Sequence, residues 1–521
     1  MPCELRNAAR REFIKAGAIL AGNAAIGGSG VLNQAFANNH PNVHEGSLGY
    51  LDRNTYIEGM QVHSVFEPKL LGNRGMHMMA QGDRRYFFTD RSVLEVTDPL
   101  NPMFVNEDAW ESGAFAEPAI AYNQKSGRWL MIVGEYAGGT FASESQPAGK
   151  YHYPSKIAGP INYEGLRGCR IYDVSDPTNL TLLSEWSVDQ RDPHREIQTG
   201  QGAIRIYYDG GKYAYLDAGP DNSFTHMESP YHHYTRCLQI IDVEDPSKPS
   251  FVSNWWVPGQ REGEDEEYEQ WSEHGDRTSW TSANTCFQVP RRVEDGGKYC
   301  YSCWGRFGFM IHDVSDPANP KLVGKFDGDK TQGEIDFFSC NLSWLDKGIV
   351  VTQSETLEPD CGTPMQLPWI LDVSDPTNIV PLSQLPRPIP PVEAPYDDFC
   401  DKRGRFGTRS TPRLLAPGRV DKDLHLAAYF NAGLQCFDIS DPGNPRIAAY
   451  FIPPQGGDLN IFASFNRTVQ GAFIEWDRRL IWVGSDTGLY LLSSPLLGEP
   501  ILAPMPVEEW TVNSVNEGYD G

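Results

Sequence analysis

The histidines are the residues of this chain whose type and number most directly suggest chemistry. There are twelve of them, and a neutral imidazole is the commonest protein ligand of transition metals. A candidate metal site combines His77, His194, His232 and His274. Such a set predicts copper, zinc, iron or manganese as a cofactor. The alternative interpretation is that these histidines are ordinary exposed polar side chains.

Charged and polar residues also stand at predicted strand starts. Glu117 could act as a catalytic acid or base, with His77 beside it. Three arginines precede such starts, and their guanidinium groups could bind an anionic substrate; they are Arg74, Arg195 and Arg409. Three amide side chains complete the candidate substrate-binding set, namely Gln201, Asn341 and Gln470. The alternative is a polar channel that holds ordered water.

A short sequence motif, called the repeated phrase below, occurs six times in the chain and determines where these residues lie. It reads DVSDPTN at Asp173–Asn179 and at Asp372–Asn378, and DVSDPANP at Asp313–Pro320. Related forms occupy Val96–Pro102, Asp242–Pro249 and Asp438–Pro445. The aspartates can bond nearby backbone N–H groups and proline presets φ, so each phrase predicts a tight turn. Recurrence every 59 to 78 residues indicates one supersecondary unit used repeatedly.

Each repeated unit predicts four antiparallel strands. In the third unit the β-rich runs are Gly202–Tyr207, Lys212–Leu216, Cys237–Ile241 and Phe251–Trp256. Four-stranded units repeated around an axis predict an all-β fold, a β-propeller. Seven such units begin in the chain, so seven blades are predicted, with six or eight as the lesser alternatives. The units begin near His77, Glu117, Gln201, Thr285, Cys340, Thr411 and Gln470.

The last unit has only three strands, so the other end of the chain is expected to complete it. A strand within Tyr56–Phe66 could pair there and leave no open sheet edge. The predicted propeller therefore spans residues 56–495, with a tail at 496–521.

Long connections are predicted to collect on one face of the ring. In an up-and-down blade with strands A to D, the A–B and C–D turns share one face, and both are short here. The B–C and D–A connections lie on the opposite face of the ring. They include the long loops, which are residues 134–168, 189–200, 217–236, 258–283, 353–368, 386–408 and 453–469. Long loops in a compact domain are usually functional. The candidate residues above are therefore expected around the channel mouth on that face.

The repeated phrase resembles the LVIVD repeat of bacterial propellers. The resemblance covers roughly Gly75 to Pro495 and implies the propeller fold. The architecture is also similar to that of selenium-binding proteins, whose relatives include copper-dependent methanethiol oxidases. No motif carries the metal ligands of those enzymes to positions of this chain.

The N-terminus resembles a twin-arginine export signal. Arg10 and Arg11 are followed by Phe13, Lys15, a weakly apolar stretch and Ala35-Phe-Ala37. Residues 1–37 are thus predicted to be a signal peptide, and 38–55 an N-terminal extension of the mature chain. The expected location is the periplasm or the cell exterior, without a transmembrane span. The alternative is an amphipathic first helix.

The net charge narrows the range of partners. The chain carries −25, and residues 1–37 hold four basic against two acidic side chains, so the mature chain is near −27. This charge disfavours nucleic acid and anionic membrane surfaces as partners. It favours solubility and is compatible with cationic partners or metals.

Cysteine positions predict one disulfide and argue against a redox motif. Cys361 and Cys400 both lie in predicted loops and could pair after export. Cys300 and Cys303 have CxxC spacing, but they lie in a predicted strand, where residues three apart point to opposite faces.

Two functions remain in competition at this stage. The first is a propeller that binds a small molecule or a periplasmic protein partner at the channel mouth, and the absence of catalytic motifs favours it. The alternative is a metal-dependent enzyme of the oxidase, lyase or hydrolase type, acting there on a small polar or aromatic substrate. Export in folded form and the clustered histidines favour this second reading.

Overall fold

The computed structural model describes 17 separate ranges of the chain. They are 52–66, 75–89, 91–111, 117–136, 165–221, 223–224, 236–261, 263–264, 266–267, 287–305, 307–328, 339–354, 361, 366–409, 416–421, 423–456 and 469–505. Within them, strands form seven separate antiparallel sheets, which follow one another as the blades of a ring. The predicted all-β, seven-bladed propeller is therefore confirmed.

The first three blades use four consecutive strands each. Blade 1 consists of β3 (His77–Gln81), β4 (Arg84–Thr89), β5 (Ser92–Glu95) and β6 (Met103–Asn106). Blade 2 consists of β7 (Ala119–Asn123), β8 (Arg128–Glu135), β9 (Gly168–Asp173) and β10 (Thr181–Ser187). Blade 3 consists of β11 (Gly202–Tyr207), β12 (Tyr213–Gly219), β13 (Cys237–Asp242) and β14 (Ser250–Trp255).

Blades 4 and 5 continue the pattern. Blade 4 has β15 (Tyr299–Cys303), β16 (Phe309–Asp313) and β17 (Lys321–Phe326). A bridge between Gln288 and Tyr301 marks its innermost strand. Blade 5 has β18 (Ser339–Trp344), β19 (Ile349–Gln353), β20 (Trp369–Asp372) and β21 (Val380–Gln384). Short 3-10 turns lie at Val293–Asp295, Leu345–Lys347, Phe399–Asp401, Phe430–Ala432 and Pro495–Leu497.

Blades 6 and 7 each take a strand from the N-terminal region. Blade 6 has β22 (Leu424–Ala428), β23 (Leu434–Asp438) and β24 (Arg446–Ile452), with β1 (Tyr56–Glu58) at its outer edge. Blade 7 has β25 (Val469–Glu475), β26 (Leu480–Ser485) and β27 (Gly488–Ser493), and β2 (Gln61–Phe66) is its fourth strand. The single strand expected within Tyr56–Phe66 is thus divided between two blades.

The repeated phrase forms the same turn in every case. In blade 2, Asp176 Oδ1 accepts a hydrogen bond from the backbone N–H of Thr178 at 3.0 Å. The backbone N–H of Val174 donates to the Trp129 carbonyl at 2.9 Å, which ties the turn to the neighbouring strand. The corresponding aspartate bonds recur in the five other phrases, at Asp98, Asp245, Asp316, Asp375 and Asp441. The turn is therefore encoded locally, as its residues predict.

Apolar side chains fill the spaces between blades. The middle strands are buried on both faces, and Trp304, Trp344 and Trp482 are among the largest fully buried residues. Their clusters join strands of adjacent blades, since buried residues of blades 3, 4 and 5 form one of them. Burial of this apolar surface is the main force that holds blade to blade.

A disulfide joins Cys361 to Cys400, as their loop positions predicted. It connects the loop that follows β19 to the crossover between blades 5 and 6. Within the described ranges, no helix has the length and apolar character that crossing a membrane requires.

Candidate functional site

Five charged side chains from three blades meet where the long loops emerge. Glu117 precedes the inner strand of blade 2, Arg409 precedes β22 of blade 6, and Arg205, Asp217 and Arg236 belong to blade 3. Because the strands of every blade are antiparallel, the first strand of a blade begins, and its second strand ends, on the face of the ring where the long loops emerge. We call these five residues the arginine group.

Ion pairs connect the arginine group across the ring. An Arg409 guanidinium nitrogen lies 3.7 Å from Glu117 Oε1, although blades 2 and 6 are not neighbours. Within blade 3, Asp217 Oδ2 lies 2.7 Å from Arg236 and 3.7 Å from Arg205. A backbone bridge between Glu117 and Arg205 joins the two halves. The segments that carry Arg409 and Glu117 therefore come from non-neighbouring blades and meet at one polar site.

The group is strongly desolvated. Arg236 and Asp217 side chains are fully buried, and those of Arg205, Arg409 and Glu117 are at most 13% exposed. Burial is the largest influence on Arg205 and lowers its pKa, and the nearby Arg409 and Arg236 lower it further. Burial also raises the pKa of Asp217 to about 6, against the opposing effect of Arg236. Crowded cations in a low-dielectric setting attract anions.

Gln201 and Tyr136 border the arginine group. The Tyr136 hydroxyl donates to Gln201 Oε1 at 3.3 Å, and the backbone N–H of Gln201 donates to the Gly219 carbonyl at 2.8 Å. Burial raises the pKa of Tyr136 to about 12, so this hydroxyl keeps its proton at neutral pH. Gly202 has φ +93°, and a Cβ there would lie 1.9 Å from the Glu135 carbonyl oxygen. Glycine thus allows blades 2 and 3 to approach closely beside the group.

The structure brings together two of the predicted site residues, Glu117 and Arg409. Gln201 bonds to Tyr136, which lies near Arg236 and Asp217. His77 is buried at the first position of β3, opposite Phe88. The cooperation of His77 with Glu117 in acid–base chemistry stays a prediction. Asn341 and Gln470 lie on β18 and β25. The remaining predicted positions Arg74, His232 and His274 lie outside the described residues.

His194 and Arg195 occupy an exposed part of the crossover between blades 2 and 3. The Arg195 side chain is 84% exposed and pairs with Asp192 at 3.4 Å. His194 is 74% exposed, and its Nε2 lies 3.0 Å from Glu185. Neither residue shares a contact with the arginine group among the described interactions.

His194 belongs instead to a second polar network, on blade 2. Arg170 bonds to Glu185 at 2.9 Å and also pairs with Glu135. Burial raises the pKa of Glu135 to about 7, against the opposing charge of Arg170. In the part of the chain that the structure describes, no three His, Cys, Asp or Glu side chains are arranged to hold a metal ion. The predicted histidine site stays a prediction.

Sequence reasoning missed Arg205, Asp217, Arg236 and Tyr136. Arg205 and Asp217 interrupt apolar runs of β11 and β12, and a charge inside a buried strand is rare unless it is paired. The charged residue within each apolar run was therefore the signal in the sequence from which Arg205 and Asp217 could have been found. The approach of Arg409 to Glu117 could not be predicted, because the two residues belong to different blades.

The comparisons with known proteins support the fold. Residues 292–328 match the LVIVD repeat model, so the chain carries an LVIVD repeat within blade 4. No curated protein matches the chain.

Two solved structures align with the chain at low sequence identity. The computationally designed Ika8 protein aligns at 8% identity and a TM-score of 0.38, over 83% of this chain and 98% of its own. Chaetomium thermophilum Raptor aligns at 8% identity and a TM-score of 0.44, over 87% of this chain and 29% of its own.

Proposed function

We propose that this LVIVD-repeat propeller is a binding protein that holds a small anionic ligand at the loop-bearing mouth of its central channel. The observation that carries the proposal is the 3.7 Å approach of Arg409 to Glu117 from a non-neighbouring blade. It brings a third guanidinium group to a spot where Arg205 and Arg236 already share Asp217. Guanidinium groups bind carboxylates and phosphates through paired hydrogen bonds.

Charge supports this proposal over a purely structural role. The chain as a whole is at −25, yet the arginine group combines three guanidinium groups with two carboxylates. Attraction between a guanidinium group and an anion is stronger in a desolvated setting than in water. An anion would thus find a desolvated group of guanidinium side chains on a molecule of acidic net charge.

The proposal also places the protein outside the cytoplasm. The twin-arginine pattern around Arg10 and Arg11 supports export, and the Cys361–Cys400 disulfide suits an oxidising compartment. A periplasmic or secreted binding protein meets small anions directly.

Calorimetric titration of the mature chain, residues 38–521, tests the proposal. Acetate is the probe, and acetamide is its neutral counterpart of nearly equal shape. We expect acetate to bind and to raise the melting temperature, and acetamide to do neither. If both compounds act alike, the proposal is wrong.

A matched pair of variants locates the binding. Arg409→Gln should weaken acetate binding by roughly 10-fold or more, because a charge-assisted hydrogen bond is lost. Arg195→Gln is the control, since Arg195 is 84% exposed and pairs with Asp192; it should leave affinity unchanged. Arg409→Lys keeps the charge and shows whether a loss reflects binding or folding. Equal affinity of Arg409→Gln and the unaltered protein would refute this location.

A further inference from the structure

Two buried thiols meet across the interface between blades 4 and 5. Cys303 is the last residue of β15, Cys340 is the second residue of β18, and both are at most 2% exposed. Both are free thiols, and their side chains share a hydrogen bond. The second strand of blade 4 ends here and the first strand of blade 5 begins here, so the pair lies at the end of the ring where the long loops emerge.

The strand register places further side chains in line with the two thiols. In blade 5, Cys340 lies opposite Thr352 on the next strand, and Thr352 lies opposite Trp369 on the strand after that. In blade 4, the row that begins at Cys303 ends at Phe326, whose ring packs against Trp369 at 5.5 Å between centroids. The two rows are therefore in contact at both ends.

Hydrogen-bond donors without acceptors lie along the blade 5 row. Thr352 Oγ1 and Trp369 Nε1 are buried and bond to no residue that the structure describes. A third donor, Gln288 Nε2, lies 3.6 Å from Cys340 Sγ and bonds to the Cys340 carbonyl oxygen at 2.7 Å. Buried polar atoms nearly always have partners. A thiolate accepts hydrogen bonds more strongly than a thiol does, so these donors suit a state in which the thiols have lost their protons.

The make-up of the pair indicates which cation would replace those protons. Among the described residues, no third His, Cys, Asp or Glu side chain joins the two cysteines in an arrangement that could hold a metal ion. Structural zinc sites have four protein ligands, whereas soft thiolates select Cu(I), for which two sulfur ligands are sufficient. One Cu(I) ion held by two thiolates carries a single negative charge, and the nearby donors would stabilise that charge.

We propose that Cys303 and Cys340 bind a soft monovalent cation, Cu(I), between blades 4 and 5. One Cu–S bond forms at each cysteine, two S–H bonds break, and two protons pass to the solvent. Copper keeps its oxidation state, so the step needs neither an oxidant nor a reductant. The site uses no histidine and no member of the arginine group, and the inference does not rest on the proposed function.

Anaerobic titration of the mature chain with Cu(I), in competition with a coloured Cu(I) chelator, tests the proposal. We expect one equivalent to bind, two protons to be released in weakly buffered solution, and X-ray absorption to show two sulfur ligands. Zn(II) should not compete at the same concentration. These readouts use the unaltered protein, so they do not depend on the folding of a variant. Failure to take up Cu(I), or displacement of Cu(I) by Zn(II), would overturn the inference.

Substitution of the cysteines locates the ion. Cys303→Ser and Cys340→Ser should each weaken Cu(I) binding by more than about 100-fold, because loss of a ligand costs more than loss of an outer-shell partner. Cys300→Ser is the matched control, since Cys300 is equally buried on the same strand and residues three apart on a strand point to opposite faces. It should leave the affinity unchanged. Equal effects of Cys300→Ser and Cys303→Ser would place the ion elsewhere.

Thr352→Val tests the contribution of the unpaired donors. Valine nearly keeps the shape of threonine but cannot donate, so Cu(I) affinity should fall by roughly 10-fold. The melting temperature of the copper-free protein should change little, because the hydroxyl bonds to no described residue. Unchanged Cu(I) affinity in this variant would contradict a charged copper–dithiolate centre.

Discussion

At the scale of single residues, two buried histidines are kept neutral by their surroundings. Trp255 lies 4.2 Å from the His312 ring, centroid to centroid, and neither ring nitrogen of His312 bonds to a described residue. His425 packs against Trp344 and bonds through Nε2 to Gln353. Burial lowers the pKa of each histidine to about 3. Both residues lie on buried strands, and this packing decides their protonation.

His312 should therefore make stability depend on pH. Its folded pKa of about 3 lies below the ordinary 6.5, so the unfolded chain binds a proton first. Its contribution is present above pH 6.5 and is lost as pH falls, at about 1.4 kcal/mol per pH unit. We expect His312→Leu to remove this slope between pH 6.5 and 4.5 in chemical denaturation.

The exposed His194 provides the control for this measurement. His194→Gln should leave the slope due to His312 in place, because the substitution does not alter the buried His312 ring or its contact with Trp255. If the unfolding free energies of His312→Leu and the unaltered protein ran parallel across this pH range, the neutral state of His312 would be disproved.

At the scale of elements, serines on the outer strands of blades 2, 3 and 5 each bond to the Asp-Pro turn of the next blade. Ser184 Oγ donates to the Pro246 carbonyl, Ser253 to Pro317 and Ser383 to Pro442, each at 2.6 Å. Blade 4 has Gly324 at this position, because a Cβ there would lie 1.9 Å from the Pro376 carbonyl oxygen. The repeated turn thus also acts as a contact between blades.

Removal of one such contact should have a modest, measurable effect. Ser253→Ala leaves the Pro317 carbonyl without this donor, and we expect a loss of about 1 kcal/mol in the free energy of unfolding. Ser250→Ala, at the exposed start of the same strand, should change it by less than about 0.5 kcal/mol. Equal effects of the two substitutions in urea denaturation would show that the serine contact contributes nothing.

At the scale of the whole molecule, a buried ionic network closes the ring between blades 7 and 1. Glu475 accepts hydrogen bonds from Arg85, Arg478 and the Trp482 indole, each at 2.7 Å. Arg478 also donates to the Val96 carbonyl of blade 1 at 3.1 Å. The first and last blades meet here, so the network joins distant parts of the chain.

Glu475 should consequently be among the most sensitive positions. Glu475→Gln leaves two buried guanidinium groups without their shared carboxylate charge, and we expect about 3–5 kcal/mol of destabilisation. The exposed Glu499→Gln is the control, because Glu499 receives Arg479 through its backbone carbonyl, which the substitution keeps. Thermal unfolding followed by circular dichroism measures both. A small effect of Glu475→Gln would contradict a closing role for the network.

The two N-terminal strands, β1 and β2, also help to close the ring of blades. The Asp52 N–H donates to Gln455 Oε1 at 2.9 Å, and Asp52 Oδ2 accepts from the Tyr396 hydroxyl at 3.0 Å. From this anchor, β1 passes along blade 6 and β2 completes blade 7. The sequence predicted a closing strand from this region, but it could not show the division into two, because three-residue pairing leaves no periodic signal.

The sequence by itself determined the repeat and the four-stranded unit, and it predicted seven blades with six or eight as lesser alternatives. These depend on local physics: Asp-Pro turn chemistry and β-branched or aromatic runs act within a few residues. Loop positions indicated that Cys361 and Cys400 could pair, and the fold brings them together. Only the tertiary structure decided which charges meet at the channel mouth. Arg409 and Glu117 come from separate blades, and their 3.7 Å contact depends on the closure of the ring, which no local pattern records.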